Sequence, residues 1–205
     1  MKLYLATGNR HKLTEVVAIL TEVEPSIEIV GADAVGGMPE VDENAEDFAG
    51  NARLKARALK SMVPSGAYVL ADDSGLCVGR LDGDPGVRSS RYAGAKATDD
   101  ENTARLLEAL RDVAPADRGA HFRCVMVLIE PDGSEHVFTG RCDGRINAGR
   151  SGVGGFGYDP VFRADGCAVS FAALSEEEKN RISHRSDALL RLADWMRRKQ
   201  ALGKD

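Results

Sequence analysis

Apolar and polar positions follow two periods along this chain, and each period predicts a different element. Residues 2–6 form a short apolar run that meets a Thr-Gly-Asn turn, which predicts a buried strand. From His11 to Leu20, the apolar residues Leu13, Val16, Val17 and Leu20 recur at helical spacing. Ile27–Val30 predicts a second strand, and residues 32–47, rich in Gly, Pro and acids, a loop. Phe48, Ala52, Ala56, Leu59 and Val63 mark one face of a helix. Ala67–Ala71 predicts a strand that runs into Asp72-Asp73-Ser74-Gly75 and ends there.

Gly83, Pro85, Gly86 and Gly94 break regular structure over 80–97. Thr98 then has the character of an N-cap, with Asp99, Asp100 and Glu101 favouring the first turn of a helix that continues to about Val113. Phe122–Glu130 and His136–Gly140 flank Pro131-Asp132-Gly133-Ser134, a hairpin signal. Gly149–Asp159 is a glycine-rich loop. Ser175-x-x-Glu178 is a capping box, and a last amphipathic helix runs from about Ser186 to the Arg197–Gln200 region. Interleaved strands and helices with a hairpin predict an α/β fold with a mixed sheet.

The 205 residues suit a single domain spanning 1–205, or one domain with two lobes around a cleft. A net charge of −5 argues against broad nucleic-acid binding, which normally needs a basic face. It leaves room for a small anionic substrate, because a few local cations and a metal ion reverse the field inside a cleft. The four cysteines are widely spaced with no C-x-x-C pair, so reduced and mostly buried thiols are expected. The N-terminal apolar run is too short for a signal peptide, and no apolar stretch is long enough to span a bilayer. A soluble cytoplasmic protein is the expectation.

Thr7-Gly8-Asn9-Arg10-His11-Lys12 follows a strand and opens a helix, a placement that presents backbone N–H groups and a positive dipole end to phosphate oxygens. A tight turn with surface cations is the alternative. No Walker A sequence occurs, which argues against a P-loop kinase. Asp72 and Asp73 at a strand end are costly to hold together unless a cation lies between them or one keeps a proton. Hard oxygen ligands beside a phosphate substrate point to Mg²⁺, and Asp42-Glu43 could complete such a site. Against this stands a turn with solvated charge.

Gly152-Val153-Gly154-Gly155-Phe156-Gly157 matches G-x-G-x-x-G in form, yet Asp159-Pro160 follows where a helix should begin and no clear strand leads in. Phe156-Gly157-Tyr158-Asp159 instead suits a nucleobase: close backbone approach, an aromatic to stack, a carboxylate to accept a base N–H. Lys179 and Ser183-His184-Arg185 add donors, although a lone histidine is often structural. His11, His121 and His136 are scattered and have no metal role assigned.

Together these segments resemble the Ham1 family of inosine triphosphate pyrophosphatases. The resemblance covers nearly the whole chain, in order. It rests on Leu5-Ala6-Thr7-Gly8-Asn9-x-x-Lys12, Phe48-x-x-Asn51-Ala52-x-x-Lys55-Ala56, Ala71-Asp72-Asp73-Ser74-Gly75-Leu76 with Pro85-Gly86-Val87 and Ser90-Arg91-Tyr92-Ala93-Gly94, Gly155-Phe156-Gly157-Tyr158-Asp159-Pro160, and Glu178-Lys179-Asn180-x-x-Ser183-His184-Arg185. It implies a mixed twisted sheet flanked by helices, two lobes about a central active-site cleft, and a homodimer. It also implies Mg²⁺-dependent cleavage of ITP, dITP and XTP to monophosphate and pyrophosphate, which keeps these nucleotides out of DNA and RNA.

By position, the resemblance gives Thr7, Gly8, Asn9, Arg10, His11 and Lys12 the phosphates, with Lys55 adding charge. Asp73 is the metal-linked carboxylate that activates water, and Ser74 lies on the nucleotide. Phe156, Gly157, Tyr158, Asp159, Lys179, His184 and Arg185 form the base pocket. One departure stands out: the family usually has Glu-Glu-Thr-Gly where this chain has Asp42-Glu43-Asn44-Ala45, so the metal ligand is Asp42 or Glu43. The rivals are a similar enzyme for pyrimidine triphosphates and a non-catalytic nucleotide-binding protein.

Overall fold

The computed structural model describes residues 1–202. Its strands and helices alternate through β1 (Lys2–Leu5), α1 (Arg10–Val23), β2 (Glu28–Gly31), α2 (Phe48–Lys60), β3 (Tyr68–Val78), α3 (Asp99–Ala109), β4 (Gly119–Ile129), β5 (Glu135–Ile146), β6 (Phe162–Ala164), α4 (Glu176–Ile182) and α5 (His184–Leu202). The strands form a mixed sheet in the order β2-β1-β3-β4-β5-β6. β1 is parallel to β2 and to β3, whereas β6 is antiparallel to β5.

The chain divides into two compact units. The first comprises Met1–Asp73, Cys124–Gly140 and the segment from Arg185; the second comprises Ser74–Arg123 and Arg141–His184. In the first unit the sheet is buried on both faces, as the continuous burial of Cys124–Ile129 requires. Side chains alternate across a strand, so Leu3 and Leu5 join one core with Val16, Leu20, Ala188 and Leu192. Tyr4 and Ala6 join the other, with Ala52, Ala56 and Leu59 of α2. In the second unit the sheet is one-sided. Leu76, Val78, Phe122, Cys142 and Ile146 pack with Leu106 of α3 and with Phe162 and Phe171, while Arg123, Arg141, Asp143 and Arg145 are exposed.

The predicted strand end at Ala71 is incorrect: β3 continues through Asp72-Asp73-Ser74-Gly75 to Val78. What ends there is the pairing with β1, since Leu5 opposes Leu70 and Ala6 donates to the Leu70 carbonyl at 2.7 Å. Cations on neighbouring elements make extended backbone tolerable at two adjacent carboxylates. α3 likewise stops at Ala109 rather than near Val113, and the partly buried Val113 still packs against the core of the second unit. The hairpin is as expected, with Glu130 N–H donating to the Ser134 carbonyl at 2.9 Å. The four cysteines are free; Cys124 and Cys142 are buried, Cys77 and Cys167 half-buried. No described helix is long and apolar enough to cross a membrane.

Candidate active site

In the first unit the segment after β1 is ordered by its own side chains. Asn9 N–H donates to Thr7 Oγ1 at 3.1 Å, and Asn9 Oδ1 accepts from the N–H groups of His11 at 2.9 Å and Lys12 at 3.2 Å. Asn9 is therefore the cap of α1, and it engages two of the backbone donors that the sequence offers to phosphate. A methyl group on Gly8 would meet no atom of the protein within 4 Å, so nothing in the chain itself requires glycine there. Open space over a backbone turn is the shape that lets a ligand approach closely. Arg10 and His11 are exposed beside it.

Lys12 reaches from α1 to β3, where its Nζ lies 2.8 Å from Asp72 Oδ2. Arg185, from α5, lies 3.5 Å from the same oxygen and is also ion-paired to Glu15 of α1. Both Asp72 and Arg185 are 1% exposed. Burial opposes ionisation of Asp72, but Lys12, Arg185 and Lys55 together outweigh it and hold the carboxyl well below the usual carboxylate range.

Asp73 has other company. Asn51 and Lys55 stand four residues apart on the buried side of α2 and both reach it: Asn51 Nδ2 donates to Oδ2 and Lys55 Nζ to Oδ1, each at 3.2 Å. Lys55 also donates to Glu43 Oε2 at 2.9 Å. Asn51 Oδ1 accepts from Ala45 N–H at 3.0 Å, which ties the acidic loop to α2. Here burial is the largest influence and is not fully offset by Lys55, Lys12 and Asn51, so the Asp73 carboxyl lies above its ordinary value. Neighbouring carboxyls are thus shifted in opposite directions, Asp72 downward by the cations around it and Asp73 upward by burial.

Glu43 and Asp73 share one cation, Lys55, whereas the Asp42 carboxylate accepts from Asn44 Nδ2 at 3.1 Å. Two carboxylates whose oxygens both face a single cation are a suitable donor set for a hard divalent ion. Among the described residues no group of three or more His, Cys, Asp or Glu could hold a metal. Mg²⁺ accepts such sparse protein ligation, since it keeps several waters and takes substrate phosphate oxygens.

In the second unit the glycine-rich loop closes on Asp159. Its Oδ2 accepts from Phe156 N–H at 2.9 Å and from Lys179 Nζ at 2.6 Å. Lys179 lies 4.7 Å from the centre of the Phe156 ring, a cation–π arrangement. A side chain at Gly155 would collide with the Asp159 carboxylate, so that position is restricted to glycine. Tyr158 is buried and its hydroxyl donates to the Ser89 carbonyl at 2.8 Å. His184 is buried and stacks on Phe122, ring centres 4.7 Å apart. The structure therefore brings Phe156, Asp159 and Lys179 into direct contact, while Arg185 belongs to the Asp72 network.

A family model described as the Ham1 family matches residues 3–195. The chain belongs to the Ham1 family. Over 202 residues it is 50% identical to a dITP/XTP pyrophosphatase of Opitutus terrae, covering 97% of this chain and 100% of that protein. It is 44% identical to the dITP/XTP pyrophosphatase of Streptomyces coelicolor, covering 96% and 97% of the two chains. The Ham1 protein of Staphylococcus aureus has a similar structure, with a TM-score of 0.84 at 34% identity over 97% of this chain and all of that one.

Asn51 and Glu15 had no role assigned from the Ham1 motifs. Asn51 was findable, since a polar residue four positions before Lys55 on an otherwise apolar helix stripe needs a buried partner. Glu15 was not, because its partner lies at the far end of the chain.

Proposed function

We propose that this Ham1 chain hydrolyses purine nucleoside triphosphates with an altered base, ITP, dITP and XTP, to the monophosphate and pyrophosphate. The observation that carries this is the arrangement around β3, where Lys12 and Arg185 converge on Asp72 while Asn51 and Lys55 reach Asp73. Asp72 is the anion that holds Lys12 and Arg185 in place, and Asp73 is the base. Thr7 to Lys12 and Lys55 take the triphosphate, with Gly8 leaving room for it. Mg²⁺, when bound, neutralises charge on the triphosphate oxygens. Asp73 and Glu43 would hold it, with Asp42 the shorter alternative. Asp73 accepts the proton of the water that attacks the α-phosphorus, and pyrophosphate leaves. Ser74 follows Asp73 on the strand and contacts the nucleotide.

Phe156, Gly157, Tyr158, Asp159, Lys179 and His184 read the base, and Arg185, which the Ham1 motif places with them, serves instead as the buried partner of Asp72 and Glu15. Hypoxanthine and xanthine offer an O6 acceptor and an N1–H donor, so cationic or N–H donors suit them, whereas adenine would set donor against donor. Leaving such groups unpaired costs roughly 10⁴-fold in discrimination. A homodimer in the cytoplasm completes the proposal, in a role that clears altered nucleotides before polymerases use them.

Pyrophosphate release from ITP, XTP, GTP, ATP and TTP, with and without Mg²⁺, tests this. Metal-dependent turnover of ITP and XTP far above GTP and ATP is expected, and Asp73→Asn lowers it by about two orders of magnitude or more with the fold intact. Equal turnover of every triphosphate would remove the base-reading role; no pyrophosphate from any would leave a binding protein.

A further inference from the structure

Both polar backbone groups of Gly157 are held from one helix. Asp99, the first residue of α3, accepts the Gly157 N–H at 2.7 Å. Thr103, one turn later, donates its hydroxyl to the Gly157 carbonyl at 3.3 Å. Thr103 is fully buried, so its hydroxyl is kept for this contact rather than for water. Gly157 has a φ of +60, a left-handed conformation that glycine adopts without strain, so its two backbone contacts to α3 fix the place of a turn that glycine's own freedom would leave loose. The capping box formed by Thr98 and Glu101 fixes the start of α3, and with it the position of both side chains. Asp100 adds an ion pair to Arg150 at the other end of the same loop.

We propose that α3 is a clamp for the base-reading loop, with Asp99 and Thr103 as positioning residues that set Gly157 and thereby the Phe156 ring and the Tyr158–Asp159 backbone. Neither touches the nucleotide. This rests on the base-reading role of that loop. The base is remote from the reacting phosphorus, so loss of the clamp weakens ground state and transition state alike and raises KM with little change in kcat.

The test compares wild type with Thr103→Val, Thr103→Ser and Asp99→Ala. Thr103→Val keeps the shape and removes the hydroxyl; its KM for ITP rises by about three- to tenfold, the worth of one buried hydrogen bond, with kcat within about twofold. Thr103→Ser restores most of the loss, and Asp99→Ala repeats the KM effect. Amide hydrogen exchange at Gly157, faster in Thr103→Val and Asp99→Ala than in wild type, reads the clamp without activity. Unchanged exchange at Gly157 in both variants overturns the clamp. Faster exchange with an unchanged KM for ITP in an active enzyme overturns its role in base reading. If wild type itself does not hydrolyse ITP, the functional reading fails while the exchange result still decides the clamp.

Discussion

At the scale of single residues, Asp72 is the shared anion of a buried ion-pair network in the first unit. Lys12 and Arg185 both converge on it, and Arg185 is almost wholly buried. Asp72→Asn would leave two cations facing a neutral amide in a low-dielectric setting. It should destabilise the protein by about 3 kcal/mol at neutral pH, as removal of one partner from a buried ion pair does. The sign with pH follows from the direction of its shift. The folded pKa lies below the unfolded value, so the stabilisation is complete above the unfolded pKa and is lost as pH falls through the folded one. Urea titrations of wild type and Asp72→Asn should therefore converge progressively below about pH 5. A gap that widens in acid would assign the network to another group.

Elements owe their places to side-chain caps as much as to apolar periodicity. α1, α2, α3 and α4 all begin at a side-chain acceptor: Asn9, Asp47, Thr98 and Ser175. Asn9 and Thr98 start the helices that carry Lys12 and Thr103, so a frayed start would displace the Asp72 and Gly157 contacts as well as backbone. Thr98→Ala removes one half of a capping box and should cost about 1 kcal/mol in chemical denaturation. Because Asp99 is the next residue, faster exchange of the Gly157 amide should accompany that loss. β3 shows the opposite case. Local signals read Asp-Asp-Ser-Gly as a turn, but the strand persists because lysines from α1 and α2 compensate its carboxylates.

For the whole molecule, two cores lie on opposite faces of the sheet in the first unit and a third on one face in the second. The thiols report on them. Burial pushes the Cys124 and Cys142 thiols up to about 12, which leaves almost no thiolate near neutrality. With an aromatic disulfide reagent at about pH 8, Cys124 and Cys142 should stay silent in the native protein, and all four cysteines should react in denaturant. Rapid native-state reaction at Cys124 would mean that the first core opens far more readily than its packing implies.

The sequence by itself determined most of the elements, the mixed sheet and the family, because helical and strand periods, turn residues and short ordered motifs are local properties, but it misplaced the ends of β3 and α3 and left β6 unread. It also singled out the residues whose chemistry suits phosphate, metal and base. Tertiary structure alone decided their company. Nothing local distinguishes Asp72 from its neighbour Asp73; at Asp72 the cations Lys12, Arg185 and Lys55 outweigh burial, whereas at Asp73 burial outweighs Lys55, Lys12 and Asn51, so the two carboxyls shift in opposite directions. Likewise His184 and Arg185 adjoin in sequence, yet one stacks on Phe122 and the other pairs with Glu15 and Asp72. Coulomb interactions and desolvation depend on distances through space, which a pattern along the chain does not contain.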